Sequence, residues 1–353
     1  MLAGGADDGF ALGTWGIRIT AASRLSYTLI DLNGETGRRN GMASMSIRDP
    51  SFRAVVHLAE EPGIVTDAAS RIHEEAIESF VSDLQELVQG PPARVVVERG
   101  LPAHTGFGSK TTTLLAIGKA YAAVCGKTVD TEQLAKVAGR GGTSGASVNL
   151  VDRGGFLVDG GHANPDDFAE DPQRYLIPSR FAGAPVRKPP VLVNLPFPPW
   201  PILVLVTAGL ELHGKPELDW FRETLPIPAE EARRTAHYVL LNLAPAVAEA
   251  DYAAFCRALN RLTYEMHYKR EQIVIQPEPV RQMFAEAADH PDIDAIGISV
   301  TGPGCFAFTR RPSAALEWVE ELKAREVVRD YWFTTAQNHP AVLEAVPVLE
   351  SAR

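Results

Sequence analysis

At 353 residues, the chain is long for one hydrophobic core and suits two domains of ordinary size. Its apolar fraction of 45% is that of a globular protein and excludes general disorder. A net charge of -10 argues against a nucleic-acid binder, which meets phosphates with a basic face. A small anionic substrate stays open, because that depends on local charge. No apolar run reaches the roughly 18–20 residues that cross a bilayer, and the longest, Pro201 to Leu210, falls well short. Residues 1–13 lack the basic start and sustained apolar stretch of a signal peptide and read as a loose tail. Neither a membrane nor a nucleic acid is expected as a partner, and the cytoplasm is the expected location.

Along the chain, strand and helix patterns alternate. Gly16 to Leu32 carries β-type runs, and Ser44–Ile47 and Phe52–Leu58 read as two further strands. Asp67 to Val88 has apolar residues at helical spacing, and Arg94–Glu98 is a buried-strand pattern. Thr111 to Val124 reads as a buried helix, and Thr131 opens a shorter one with a capping-box pattern. The proline-crowded stretch 183–201 marks a boundary, since proline breaks helices and cannot donate to a sheet ladder. Beyond it come a strand at Ile202–Val206, helices at Ala229–Ala250, Tyr252–Tyr268 and Val280–Ala288, then strands at Ile296–Val300 and Cys305–Thr309 and a helix at Ser313–Lys323. The expected architecture is α+β, with an N-terminal domain over 1–190 and a C-terminal one over 191–353.

Cys125, Cys256 and Cys305 lie far apart and read as small buried residues, and the histidines show no zinc-type spacing. The chemistry concentrates in glycine-rich loops. Gly100 to Thr112 joins a strand to a helix. Gly106 and Gly108 let the backbone approach a ligand, Ser109 and Thr111 add hydroxyls, and the helix N-terminus favours an anion. Lys110 adds a charge unless it points to solvent. The loop matches neither a Walker A motif nor G-x-G-x-x-G, and a turn shaped only for helix packing is the alternative reading. A second run, Arg140 to Ser147, is followed by Gly154 to His162. Arg140, Thr143 and Ser144 offer donors for phosphate or carboxylate, and Asp159 and His162 suit acid–base or magnesium chemistry. A third glycine turn, Ser299 to Ala307, lies between two strands and either closes a site or merely joins a hairpin.

The loop at 102–113 and the turn at 301–304 resemble the phosphate loop and third motif of the GHMP kinase superfamily. With Ser23 to Gly34, Arg140 to Gly145 and Gly155 to His162, the chain looks like the β-ribofuranosylaminobenzene 5′-phosphate synthase family over about residues 18–310. That family has a two-domain GHMP kinase-like fold but transfers ribose 5-phosphate from phosphoribosyl pyrophosphate to a hydroxy- or aminobenzoate, losing pyrophosphate and carbon dioxide. Ser23-Arg-Leu-Ser26 replaces the family's Ser-Arg-Ile-His, and Gly297 to Pro303 replaces a Gly-Gln-Ser-Ser-Trp-Gly-Pro segment. Both changes fall on the acceptor side, and the resemblance is closer to the C-nucleoside synthases of formycin and pyrazofurin biosynthesis.

The resemblance therefore implies a decarboxylating C-ribosyl transferase acting on phosphoribosyl pyrophosphate and an aromatic carboxylate, an aminopyrazole dicarboxylate being favoured. The methanopterin-pathway synthase, an ATP-dependent GHMP small-molecule kinase and a ligand-binding homologue without turnover are the alternatives. Mg2+ is the implied cofactor, with Asp31 and Asp159 as metal candidates, and a homodimer is a further expectation. Arg24, Asp31, His104, Asp159 and His162 are the catalytic candidates. Gly106, Gly108, Ser109, Lys110, Thr111, Arg140, Thr143 and Ser144 are the phosphate or pyrophosphate ligands. Ser26, Lys188 and Thr301 are the acceptor candidates.

Overall fold

The computed structural model describes residues 14–178, 187–211 and 214–348; the expected tail at 1–13 lies outside them. Two long strands, β1 (Trp15–Asp31) and β2 (Arg38–Leu58), form an antiparallel hairpin that is the spine of the first sheet. Its turn is set by Asp31, whose carboxylate accepts from the N–H groups of Asn33 (2.9 Å) and Gly34 (2.8 Å). Such an Asx turn satisfies N–H groups that the reversing chain would leave unpaired. The two strands read at 44–47 and 52–58 are one strand, whose pairing with β1 shifts register between Ala22 and Ser23.

Among the described residues, the first sheet has eight strands. Its spatial order runs β12 (Val342–Pro347), β1, β2, β4 (Ala93–Arg99) and β3 (Gly63–Val65), while β5 (Phe156–Asp159) and β6 (His162–Ala163) pair with another stretch of β2. β7 (Val191–Leu195), inside the proline-rich stretch, pairs with β5. Two elements beyond residue 190, β7 and β12, thus belong to the first sheet. The second sheet is antiparallel and four-stranded, in the order β11 (Val328–Thr334), β8 (Ile202–Thr207), β10 (Gly304–Phe308), β9 (Ala295–Ile298).

Helices cover the outer faces. α1 (Glu74–Val88), α2 (Ser109–Val124), α3 (Thr131–Val137) and α4 (Ala146–Arg153) back the first sheet, with Leu84, Leu115, Ile117 and Val148 packed on Ile19, Ala54 and Val95. α3 is capped by Asp130, which accepts from Glu132 N–H, rather than by the hydroxyl of Thr131. α11 (Glu278–Asp289) and α12 (Pro312–Ala324) back the second sheet, meeting the inner residues Leu203, Leu205, Cys305 and Ala307. Ile202, Val204, Phe306 and Phe308 alternate with these and face a central core shared with Leu25, Tyr27, Met45 and Phe156 of the first sheet. Both faces of β8 and β10 are covered, so their sequences are apolar without a break.

α7 (Ala229–Tyr238) runs through a π-helical stretch, Val239–Leu243, into α8 (Ala244–Ala248). The widened turns lie just before Pro245, which has no N–H to donate. The helix read over 252–268 breaks at Glu265–Met266 into α9 (Tyr252–Tyr264) and α10 (His267–Val274). With α6 (Lys215–Thr224), α10 closes a further small core around Leu29, Met42, Phe221 and Tyr268.

Candidate active site

α2 begins at Ser109, two residues before the expected start, and its N-cap is Gly108 with φ +78° and no side-chain cap. Glycine is required there twice over. A side chain would be strained by the left-handed backbone, and its Cβ would stand 2.5 Å from Ser147 Oγ and 3.1 Å from Arg24 Cγ. The close fit brings the first turn of α4 beside the first turn of α2. Two helix N-termini, each with uncapped N–H groups, therefore open on one region, and both favour negative charge.

That region is a cleft of about 290 Å³. Its walls include Arg24, His104, Gly106, Gly108, Ser109, Lys110, Thr111, Arg140, Thr143, Ser144 and Thr301, so the three glycine-rich motifs converge. Among the described residues, Arg24, Lys110 and Arg140 supply cations and Glu217 a carboxylate to the wall. The local sign is positive in an acidic protein, which suits an anionic small molecule.

Specific bonds fix the arrangement. Arg24 N–H donates to Phe107 O at 3.1 Å, tying β1 to the glycine loop. The Arg24 guanidinium donates through Nε to Ser147 Oγ at 2.7 Å, while Nη1 is buried without a partner. Burial, and then the charge of Arg140, lower its pKa to about 10, so it stays cationic at neutral pH. Arg140 Nε donates to Thr111 Oγ1 at 2.8 Å. From the second sheet, Ser299 Oγ donates to Gly106 O at 2.9 Å and accepts from Ser26 N–H at 3.1 Å.

Five of the sequence-predicted residues do not line the cleft. Ser26 is buried, with its hydroxyl on Met42 Sδ at 3.4 Å. Lys188 pairs with Asp152 at 3.1 Å, beside a second ion pair from Lys119 at 2.7 Å. His162 lies on β6 behind the Arg140 loop, where burial first, then Arg39 and Arg38, lower its pKa to about 4. Asp31 and Asp159 border a separate, smaller cavity of about 120 Å³. Asp31 serves the β-hairpin turn, and Asp159, fully buried, accepts from Gly161 N–H at 3.0 Å. Desolvation pushes Asp159 up to about 7 against the pull of N–H groups and of Arg24. These two carboxylates thus stand together at the smaller cavity and apart from the cleft. Among the described residues, no group of three or more His, Cys, Asp or Glu side chains is placed to hold a metal ion.

Several wall residues carried no motif. His73, just before α1, has Nε2 at 3.3 Å from Ser109 Oγ. Burial, then Lys110, His104 and Arg140, lower its pKa to about 4, so the ring is neutral at pH 7. Leu29, Met42, Phe221 and Tyr268 make a patch of the cleft wall apolar. Tyr268 keeps a buried hydroxyl without a partner. The cleft thus combines cationic lining with an apolar, aromatic patch that Glu217 also borders, and Arg24 interacts electrostatically with both Arg140 and Tyr268.

A family model for the GHMP kinase N-terminal domain matches residues 67–152, the stretch that carries the glycine loop and both helix N-termini. By overall shape the chain is similar to a homoserine kinase from Cytophaga hutchinsonii, with a TM-score of 0.64 at 15% identity over 96% of this chain and 100% of that one. It is similar too to mevalonate kinase of L. major, with a TM-score of 0.64 at 12% identity over 92% and 96%. At such identities these likenesses establish the two-domain α+β GHMP kinase fold and nothing more. The sequence relatives go further. The chain is 32% identical to β-ribofuranosylphenol 5′-phosphate synthase of Archaeoglobus fulgidus over 85% of its own length and 90% of the relative. The same-named protein of Methanocaldococcus jannaschii is 29% identical over 82% and 88%. No helix among the described residues is long and apolar enough to cross a membrane. On a GHMP kinase fold, this chain is an enzyme of the β-ribofuranosylphenol 5′-phosphate synthase family.

Proposed function

We propose that the enzyme transfers ribose 5-phosphate from phosphoribosyl pyrophosphate to a ring carbon of an aromatic carboxylate. The observation that carries this reading is the mixed lining of one cleft: cations and helix N-termini together with the apolar cluster of Leu29, Met42, Phe221 and Tyr268. Gly106, Gly108, Ser109, Lys110, Thr111, Arg140, Thr143 and Ser144 hold the phosphates. Arg24 offers its unpartnered Nη1 to an anionic oxygen. The apolar patch takes the ring.

The C1–O bond to pyrophosphate breaks first, leaving an oxocarbenium-like centre. The ring carbon bearing the carboxylate donates the electron pair for the new C–C bond. The C–CO2 bond then breaks, and its electrons restore the aromatic ring as carbon dioxide departs. Because carbon dioxide leaves instead of a proton, that carbon needs no strong base. Catalysis rests on positioning two anions and stabilising the pyrophosphate that leaves. His104 is the candidate proton donor to the leaving group within the cleft; Asp31, Asp159 and His162 lie outside it and act only through their neighbours. Magnesium belongs to the proposal as a companion of the pyrophosphate oxygens.

The relatives' name contains a phenol, which supports a hydroxybenzoate-type acceptor over the aminopyrazole dicarboxylate of a C-nucleoside pathway. The second reading keeps one support: Ser26 is small and turned onto Met42, where the sequence expectation for benzoate enzymes is a ring-facing histidine. The proposal extends to a cytoplasmic homodimer formed through the exposed Leu192, Leu240 and Leu241, readable as the mass in solution by light scattering.

The test is mass spectrometry of the purified enzyme with phosphoribosyl pyrophosphate, magnesium and each of hydroxybenzoate, aminobenzoate and 4-aminopyrazole-3,5-dicarboxylate. A product that gains ribose phosphate and lacks one carboxyl is expected, and the ring consumed names the acceptor. Consumption of ATP with a small alcohol, with no pyrophosphate released from the donor in the presence of any ring, would establish the kinase alternative instead.

A further inference from the structure

Lysine is rarely found fully buried, because removing an ammonium from water is costly unless its donors are met. Lys269, in α10, is 1% exposed. Its Nζ donates to Ile298 O at 2.7 Å, Gln272 Oε1 at 2.9 Å and Val300 O at 3.3 Å. All three partners are neutral oxygens, and two are main-chain carbonyls on either side of Ser299. Burial lowers the pKa to about 7, with the Cys305 thiol and the Arg24 guanidinium as the charged or titratable groups that act on it.

The segment it holds is not ordinary backbone. Val300 has φ +56°, a left-handed conformation that a β-branched residue keeps only where its surroundings impose it, and Gly302 follows at φ +84°. A second buried side chain works from the same side: Gln276 reaches Gln272 O at 3.1 Å and Thr301 O at 3.5 Å, while its carbonyl accepts from Leu210 N–H at 3.0 Å. From the opposite side, Ser299 is bonded to Gly106 of the glycine loop and to Ser26 of β1. Val300, Thr301 and Gly302 form cleft wall between these two sets of bonds. The residue before Lys269, Tyr268, lines the cleft itself.

A lysine kept only to fill space would be better replaced by methionine, which has similar length and no desolvation cost. The bonds to Ile298 and Val300 give it a different task. We propose that Lys269 is a positioning residue, which clamps the Ser299–Gly302 turn against the Gly106 loop and so sets the affinity of the cleft for its phosphorylated ligand. Without the clamp, two buried carbonyls lose their partner and the turn relaxes away from Gly106. The wall then moves while the groups that bind phosphate remain, so binding weakens more than turnover. The affinity part rests on the phosphate reading of the cleft; the clamp itself does not.

The test compares the intact enzyme with Lys269→Met. Hydrogen–deuterium exchange is followed, without ligand, in a peptide covering 298–304 and in one from β4. Binding of inorganic pyrophosphate is measured by titration calorimetry, and KM and kcat for the phosphorylated donor by steady-state kinetics. Faster exchange at 298–304 with β4 unchanged is expected, as is a rise in the pyrophosphate Kd and the donor KM of about tenfold, the scale of a lost charged hydrogen bond. The change in kcat stays within about threefold. Unchanged exchange and unchanged affinity in the folded variant overturn the proposal, and so does a loss confined to kcat. If wild-type enzyme binds no pyrophosphate while the exchange still differs, the clamp stands and the phosphate reading falls. Should Lys269→Met not fold, Lys269→Gln, which keeps N–H donors on a shorter side chain, is expected to move exchange and affinity in the same direction by a smaller factor, and no movement in either overturns the proposal.

Discussion

Asp159 places a carboxyl group where solvent cannot reach it, and this has a measurable consequence. Its pKa rises from 3.8 to about 7, chiefly through desolvation. The folded protein therefore holds a proton that the unfolded chain releases, and native proton binding exceeds unfolded binding between pH 3.8 and about 7. Stability falls as pH rises through that window, the reverse of a salt-bridged carboxylate. Asp159→Asn keeps the acceptor for Gly161 N–H and removes the titration. The difference in thermal midpoint between the two proteins is expected to widen as pH rises from about 4.5 to about 7.5, with the variant the more stable at the upper end. A difference that stays constant would remove the assignment. Sequence reading named this residue because an acid beside a glycine hairpin suggests metal or proton chemistry. Alternation along β5 and the cover of α4 put it out of the cleft, and no spacing rule reports that. Lys269 was invisible for the opposite reason: in His267-Tyr-Lys-Arg-Glu-Gln-Ile-Val274 it looks like one solvated charge among several.

Elements were legible where local rules act alone. The strand–glycine–helix order around residues 93–124 is legible nearly as it stands, because Gly106 and Gly108 punctuate it and α2 is buried at almost every position. His73, Glu217, Phe221 and Tyr268 were not, since each reaches the cleft from a separate element that only the tertiary fold assembles. The same distinction between local and tertiary demands can be tested at α2. Gly108→Ala meets both a left-handed backbone and contact with Ser147 and Arg24, whereas Gly126, at φ +64°, has nothing within 4 Å of an added Cβ. Alanine at either position is expected to cost about 1–2 kcal/mol of backbone strain in denaturant unfolding. Only at 108 should pyrophosphate binding fall as well, by at least about tenfold. Equal affinity in the two variants would show that the junction of α2 and α4 does not shape the anion site.

The whole molecule is closed by its last strand, which no motif announced. β12 is mostly exposed, with the burial pattern of an edge, yet it pairs residue by residue with the first turns of β1, from Trp15 with Pro347 to Thr20 with Val342. Exposed Leu343 and Val342 gave it little amphipathic signal, and its partner lies more than three hundred positions earlier in the chain. Removing it bares the outer edge of β1, a row of unpaired N–H and C=O groups beside Trp15 that can template strand pairing between molecules. No residue of β12 lines the cleft. A chain ending at Ala341, which keeps the bond from Ala341 N–H to Val151 O at 2.9 Å, separates these roles. Its thermal midpoint is expected to fall by about 5 °C or more, with light scattering that rises with concentration, while kcat and KM measured well below that midpoint stay near wild type. An unchanged midpoint would mean that β12 adds nothing to stability. Lost turnover in a folded, monodisperse truncation would mean that the strand reaches the active site through β1, along which Arg24 and Leu29 lie.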